Sequence, residues 1–321
     1  MDRRDVLRQS LAGGIVLERG NPVGLGAPDG EADAVTRWAT MAAYEFLRFP
    51  DHEGNSLSQP DIVYGRAGGI DLRLDVITAG PETQVRPTVL HIHGGGWVKL
   101  MKEDRIMYLF PYLAQGMNAV NIEYRLASQA LAPAAVEDCR RALHWVHEHA
   151  KEYGFDTRKV VVAGESAGGH LALMSGMLDR GAGFDNAAAY GLGTEPAGVA
   201  AIVNFFGITD VADVLEGPHQ RGWAVEWFGS LPDRERLAKQ LSPLAYVREG
   251  LPPIISIHGT DDSAVPYAHS LRLHEALDRV GVPNQLVTIP HGEHGNRRWS
   301  REENLHAQTA VFKFLKQHNV L

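Results

Sequence analysis

The stretch Lys159-Val160-Val161-Val162-Ala163-Gly164-Glu165-Ser166-Ala167-Gly168-Gly169, continued by His170-Leu171-Ala172-Leu173-Met174, decides the fold. Val160 to Gly164 holds only apolar and small residues, which is the composition of a strand covered on both faces. The second part is an apolar run suited to a buried helix. Small residues stand two before and two after Ser166, Gly164 and Gly168, so the chain can pass from strand to helix in one tight turn centred on Ser166. Such a turn forces the serine into a strained backbone conformation and lifts its hydroxyl out at the carboxyl end of the sheet. It also aims the amino terminus of the following helix at any anion formed there.

Working outward, short apolar runs alternate with helical patterns. TVLHIH (88–93), AVNIEY (119–124), GVAAIVNFF (198–206), PPIISIHG (252–259) and NQLVTIP (284–290) read as strands. Helices are expected over 103–115 with a kink at Pro111, from Pro133 to Gly154, and over 267–280 and 303–317. The Pro133 helix carries Val136, Cys139, Leu143 and Val146 on one face. Alternating strands and helices predict an α/β fold, a mostly parallel sheet with helices on both faces. Upstream, Ile70, Leu72, Leu74 and Val76 alternate with Asp71, Arg73 and Asp75, the mark of a half-buried strand. DIVYG (61–65), joined through Ala67-Gly68-Gly69, supplies its hairpin partner, so the sheet is led by an antiparallel pair. Residues 208–248 break the rhythm and read as a small cap insertion over one end of the sheet. The expected organisation is an extension over 1–60, with a linker and a helix at 31–47, and one catalytic domain over 61–321.

Composition narrows the function. The chain has 321 residues, 44% hydrophobic and 22% charged, with a formal charge of −8. These are values of a folded globular protein, and the negative balance argues against a nucleic-acid partner. Cys139 is the single cysteine, which excludes an internal disulfide and a cysteine-based metal cage. It reads as a small core residue. No apolar run reaches the ~18 residues of a membrane span. The start MDRRDVLRQSLAGGIVLERG resembles the twin-arginine export pattern, but Glu18 and Arg19 end its apolar stretch early. The reading leans to the cytoplasm, with export to the periplasm or beyond as the alternative.

His93-Gly94-Gly95-Gly96-Trp97 follows directly on the strand TVLHI. A triple glycine leaves backbone N–H groups uncovered and free to face a cavity, which stabilising a tetrahedral oxyanion requires. Together with the Gly164-to-Gly168 turn, these residues resemble the α/β-hydrolase superfamily. They look most like the hormone-sensitive-lipase-like carboxylesterases and the bacterial acetyl and feruloyl esterases. Tyr124-Arg125-Leu126-Ala127 followed by Pro133-Ala134-Ala135-Val136-Glu137-Asp138 resembles a further motif of that group, with Ser128 and Gln129 where the group has Pro-Glu. The resemblance implies an α/β-hydrolase fold with Ser166 as nucleophile and Gly95, Gly96 and Ala167 as oxyanion donors. A serine hydroxyl needs a base, and the base an orienting acid, in the chain order Ser, Asp or Glu, His. His294 in PHGEHG matches the group's loop histidine, with His291 as local competitor. Asp262 in HGTDDSAVP matches the group's D-x-x-V-P spacing, with Asp261 as the alternative.

The remaining candidates have plainer readings. His91 and His93 share a strand face, and His93 is expected to brace the glycine loop. His144, His147 and His149 are expected to face solvent; without H-E-x-x-H they do not suggest zinc hydrolysis. Glu165 is expected to hold the turn by hydrogen bonds. Trp97, Phe206, Trp223 and Trp227 are candidate walls of an acyl or alcohol pocket, against simple core packing. The expected activity is a serine carboxylesterase acting on short-chain or aryl esters, a small-molecule substrate, with no cofactor and no metal. An amide hydrolase of the same fold, or a noncatalytic binding relative, would carry much the same residues. The sequence sets no oligomeric state.

Overall fold

The computed structural model describes residues 58–80, 84–179, 182–184 and 197–321. The helix expected at 31–47 and the twin-arginine-like start lie outside the described residues.

Eight strands form one sheet in the order β1-β2-β4-β3-β5-β6-β7-β8. They are β1 Ser58–Ala67, β2 Ile70–Ile77, β3 Arg86–Ile92, β4 Asn118–Ile122, β5 Phe155–Glu165, β6 Ala201–Phe205, β7 Ile254–Gly259 and β8 Asn284–Ile289. β1 pairs antiparallel with β2, and β2 antiparallel with β4; every later pairing is parallel. The leading hairpin and the parallel body expected from alternation are therefore both present.

The helices are α1 Phe110–Ala114, α2 Ala134–Glu148, α3 Ala150–Tyr153, α4 Ala167–Met177, α5 Val211–Leu215, α6 Gly222–Phe228, α7 Arg234–Gln240, α8 Ala268–Arg279 and α9 Arg301–Gln317. The period-2 pattern of the strands sorts their side chains into two cores. Val160 and Val162 of β5 join α2, α4 and α8 on one face, while Val161 and Ala163 join α1 and α9 on the other. Burial on both faces explains why KVVVAG contains no polar residue after its first. Cys139 is buried within α2, as its apolar setting implies.

Three local expectations change; the single helix expected from Pro133 to Gly154 is α2 and α3, parted at His149. The helix expected over 103–115 is a 3-10 turn, Lys102–Tyr108, followed by α1, and the break falls at Leu109 rather than at Pro111. Pro111 lies in the first turn of α1, where its missing N–H costs nothing. His144 and His147 of α2 and His149 just after it do not form a solvent face: His144 is buried. His147 Nε2 donates to Gly198 O at 2.9 Å, and the His149 ring stacks on Trp145 at 4.3 Å. The helix packs against both α4 and the sheet.

The Tyr124-Arg125…Glu137-Asp138 motif has a structural task. Arg125 grips buried Asp138 through Nε (2.8 Å) and Nη2 (2.7 Å), and its backbone N–H donates to the same carboxylate at 2.9 Å. A two-pronged guanidinium–carboxylate pair of this kind is geometrically specific. It pins the chain leaving β4 to the second turn of α2. Gln129 accepts the Leu126 N–H at 3.0 Å and closes the same loop.

Candidate active site

Register places the site. Ile92 of β3 lies opposite Gly164 of β5, Glu165 opposite Phe205 of β6, and Gly259 of β7 opposite Ile289 of β8. The residues just beyond these, His93, Ser166, Phe206, Thr260 and Pro290, all emerge at the carboxyl end of the parallel strands. Open α/β sheets bind their ligands along that edge.

The turn at Ser166 is as tight as its composition demands. Ser166 has φ 56° and ψ −120°, a strained conformation for a residue with a side chain. Gly168 makes this passage sterically feasible: a Cβ there would lie 2.0 Å from Ile92 O and 2.6 Å from His93 O. Ser166 N donates to Phe205 O at 2.9 Å, which fixes the elbow to β6.

Two loops bring partners to the hydroxyl. His294 Nε2 is 2.9 Å from Ser166 Oγ, and His294 Nδ1 is 2.7 Å from Asp262 Oδ2. Asp262 Oδ1 accepts the N–H groups of Ala264 (2.9 Å) and Val265 (2.8 Å). The acid and histidine loops cross closely, with Asp261 N donating to Gly292 O at 3.0 Å. Burial alone would raise the Asp262 pKa, but the hydrogen bonds and charges of His258 and His294 outweigh it. The carboxyl is held well below the ordinary carboxylate range. The competitors named from sequence, Asp261 and His291, pair with each other instead, at 3.2 Å on the surface.

The glycine loop lies across the turn. A Cβ on Gly94 would meet Ser166 Cβ at 3.3 Å and Glu165 O at 2.6 Å. Gly95 has φ 104° and Gly96 φ 63°, conformations that favour glycine. The Tyr124 hydroxyl faces His93 O (3.0 Å) and Gly94 O (3.1 Å), and the His93 ring stacks on Tyr124 at 4.3 Å. Burial pushes the His93 pKa down to about 4, so the ring is neutral at pH 7 and its Nδ1–H donates to Gly94 O at 2.8 Å.

Glu165 ties the loop to the turn. Its buried Oε1 accepts from Gly94 N and from Arg105 Nε, both at 2.9 Å, and His91 Nε2 stands 3.4 Å from Oε2. Burial would raise this carboxyl, yet His91, Arg105 and the Gly94 N–H together hold it below its ordinary value. The hydrogen-bonding task expected of Glu165 is thus visible; Arg105 and His91, its partners, carried no signal in the local motif.

The aromatic candidates are placed unequally. Trp97 and Trp227 are fully buried and stacked on each other at 4.0 Å. Phe206 is 2% exposed and presents its edge to His294 at 4.9 Å. Trp223 alone of the four is partly exposed. It leans on the glycine loop, where a Cβ on Gly96 would lie 2.9 Å from Trp223 Cβ. Two residues that sequence reasoning passed over also reach the acid loop. Arg221, at the start of α6, donates through Nη2 to Ser263 O (2.7 Å) and through Nε to Ala264 O (3.0 Å). His258, at the end of β7, contacts Asp262 Oδ2 at 3.2 Å. Its only signal was a histidine four residues before the acid. Among the described residues no group of three or more His, Cys, Asp or Glu is arranged to hold a metal ion. No helix among them is long and apolar enough to cross a membrane.

The BD-FAE family model matches residues 74–277, more than half of the chain and every strand from β3 to β7. The chain belongs to the BD-FAE family. This BD-FAE protein is also 27% identical over 275 residues to esterase LipQ of Mycobacterium tuberculosis, covering 83% of its own length and 64% of LipQ. It is 28% identical over 270 residues to the probable carboxylic ester hydrolase LipM of the same organism, covering 79% of its own length and 59% of LipM. It therefore spans less than two thirds of these relatives. In three dimensions it resembles a propionate-bound thermophilic esterase of Thermogutta terrifontis, with TM-score 0.70 and 25% identity. That match covers 83% of this chain and 96% of the other, and the shared architecture is the α/β-hydrolase fold. The same esterase is also known in a form phosphoramylated by tabun, at TM-score 0.68.

Proposed function

We propose that the protein is a serine carboxylesterase acting on short-chain or aryl carboxylic esters. The observation that carries the reading is the unbroken path from Ser166 Oγ through His294 to Asp262, at 2.9 and 2.7 Å. Residues 61–321 form the catalytic unit in this reading, with 208–248 as its small cap, and neither cofactor nor metal takes part. Ser166 Oγ attacks the ester carbonyl while His294 Nε2 takes its proton. Asp262 holds His294 Nδ1–H and stabilises the imidazolium that results. The N–H groups of Gly95, Gly96 and Ala167 receive the oxyanion. His294 then protonates the departing alcohol, and a water activated by the same ring releases the acid.

The esterase names of the relatives and the organophosphate adduct of the Thermogutta esterase support this chemistry. Propionate- and butyrate-bound forms of that esterase accord with a short acyl group. So does the stacked Trp97–Trp227 pair, which fills space beneath the partly exposed Trp223. Each methylene that fits gains up to ~0.8 kcal/mol, whereas forcing one against packed rings costs about 1–3 kcal/mol. Activity on p-nitrophenyl esters should therefore peak between acetyl and butyryl and fall by octanoyl. An optimum at decanoyl or beyond would defeat the short-chain assignment.

The decisive experiment is Ser166→Ala in a variant shown to fold. A loss of about 10⁴–10⁶ in rate is expected. The wild type should label with an organophosphonate probe and the variant should not. Near-normal turnover by the folded variant would remove Ser166 from the role. Faster turnover of an anilide than of its matching ester would move the assignment to an amide hydrolase.

A further inference from the structure

His258 closes β7 and is fully buried, yet both of its ring nitrogens are engaged. Nδ1 lies 2.7 Å from Ser270 Oγ on α8. Nε2 lies 3.0 Å from Val265 O and 3.2 Å from Asp262 Oδ2. Both neighbours of Nε2 are acceptors, so Nε2 carries the proton, and in the neutral ring Nδ1 receives the Ser270 hydroxyl proton. The oxygen it faces, Oδ2, is the one that receives His294 Nδ1–H. Two histidines therefore converge on one carboxylate oxygen, while two backbone N–H groups occupy the other. Three donors, the Ala264 and Val265 N–H groups and His294 Nδ1–H, bond Asp262 directly, and the His258 Nε2–H, shared with Val265 O, is the fourth group facing it.

We propose that His258 is a positioning residue: through Nε2–H on Asp262 Oδ2 it fixes the plane of the carboxylate and moderates its hold on the His294 imidazolium. The role assigned to Asp262 here rests on the esterase mechanism proposed above. A carboxylate that shares its charge among more donors is a weaker partner for each of them. Without His258, Asp262 bonds His294 Nδ1–H more strongly, the imidazolium is favoured, and the His294 pKa rises. The other groups facing this ring are few. Tyr267 meets it edge-on at 5.7 Å, and Phe206 contributes an apolar edge at 6.5 Å. Arg221 holds the Ser263 and Ala264 carbonyls of the same loop from the cap side. None of these supplies a second donor to Oδ2.

Three variants separate this role from simple packing. His258→Leu removes both ring bonds. His258→Asn is too short to reach Asp262 but keeps an amide near Ser270. His258→Gln can return an N–H to the place of Nε2. The readout is the His294 pKa, followed by NMR of labelled histidine in the full chain without substrate, together with the acid limb of kcat/KM for a p-nitrophenyl ester. In Leu and Asn the His294 pKa and the acid limb should rise together by about half a pH unit or more, with kcat lowered about tenfold. In Gln both should return to within about 0.2 unit of wild type. If the Leu variant does not fold, Asn against Gln carries the test. An unchanged His294 pKa in folded Asn, or a Gln variant shifted as far as Asn, overturns the proposal. Because the NMR titration needs no turnover, a wild type inactive on all esters would sink the esterase reading while His258 is still decided by its effect on His294.

Discussion

Two Asp–His pairs stand on the same two loops, one residue apart on the acid side and three apart on the histidine side. Asp262 and His294 meet at 2.7 Å, with side chains 0% and 25% exposed. Asp261 and His291 meet at 3.2 Å, with side chains 53% and 89% exposed. The residue types are identical, so the difference lies in what surrounds them. Asp262 receives two backbone N–H groups and His294, with the His258 ring 3.2 Å away, and its histidine reaches a serine. Asp261 receives the Thr260 hydroxyl and His291, both of which lower its pKa, and its histidine reaches outward. His291 has φ 57°, a left-handed turn that carries the chain on toward His294. A surface pair exchanges water contacts for little gain, whereas the inner pair is buried and held by backbone N–H groups shielded from water.

The largest effect should separate the two histidines. His294→Ala should reduce kcat on a short aryl ester by about 10⁴-fold or more, while His291→Ala should stay within about threefold of wild type. Steady-state kinetics on the two folded variants decides it; a severe His291 variant would exchange the roles of the pairs. Next come the acids. Asp262→Asn should cost about 10³–10⁴ in kcat, since the amide no longer enforces the His294 tautomer, and Asp261→Asn should be mild. Stability should follow the same division. A carboxyl whose folded pKa is depressed stabilises the fold above its unfolded pKa of about 3.9, and this is lost as pH falls through the folded value. The gap in unfolding free energy between wild type and Asp262→Asn should therefore be widest near neutral pH and narrow progressively below about pH 4. Chemical denaturation at several pH values measures it, and a gap that widens toward acid would reverse the sign.

The sequence made the elements legible where period and small residues left one solution. VVVAG with Gly164 and Gly168 admits only a buried strand and a tight turn, and IDLRLDV admits only a half-buried strand. Asp262 and His294 were separable from Asp261 and His291 by motif spacing, though not by local chemistry, because neighbouring residues on a loop share their composition. What stayed hidden depends on contacts between distant segments. Arg105 reaches Glu165 across 60 positions, and Arg221 reaches Ser263 across 42. The burial of Trp97 and Trp227 follows from stacking between the glycine loop and the cap, which neither segment shows alone. The burial of His144 depends on contacts with distant segments that the periodicity of α2 does not report.

A smaller effect tests whether the inner pair depends on the loop beside it. Glu165→Gln keeps the shape and an acceptor for Gly94 N–H, but leaves the Arg105 guanidinium without its charge partner. The glycine loop should loosen, and kcat should fall about ten- to a hundredfold with little change in KM, as for a partial loss of oxyanion donors. A change confined to KM would place Glu165 in substrate binding instead.

The smallest effect concerns the cap. Arg221 is the one side chain of the insertion that donates to the backbone of the acid loop, and the outer pair has no such strut among the described residues. Its two bonds go to carbonyl groups rather than to Asp262 itself, so losing them permits movement without removing a donor from the carboxylate. Charge-assisted hydrogen bonds are worth about 1.5–3 kcal/mol when well buried, and Arg221 is only partly buried, so a loss of about 1 kcal/mol is the appropriate scale. That corresponds to roughly a fivefold fall in kcat/KM for Arg221→Ala, measured on a butyryl ester. Arg221→Lys, which cannot span both carbonyls with one planar group, should recover only part of it. The same Ala substitution should leave the exposed pair untouched, so the His291 titration followed by NMR should not move while that of His294 does. If both histidines shift equally, the two loops move as one body, and the contrast between the inner and outer pairs owes nothing to the cap.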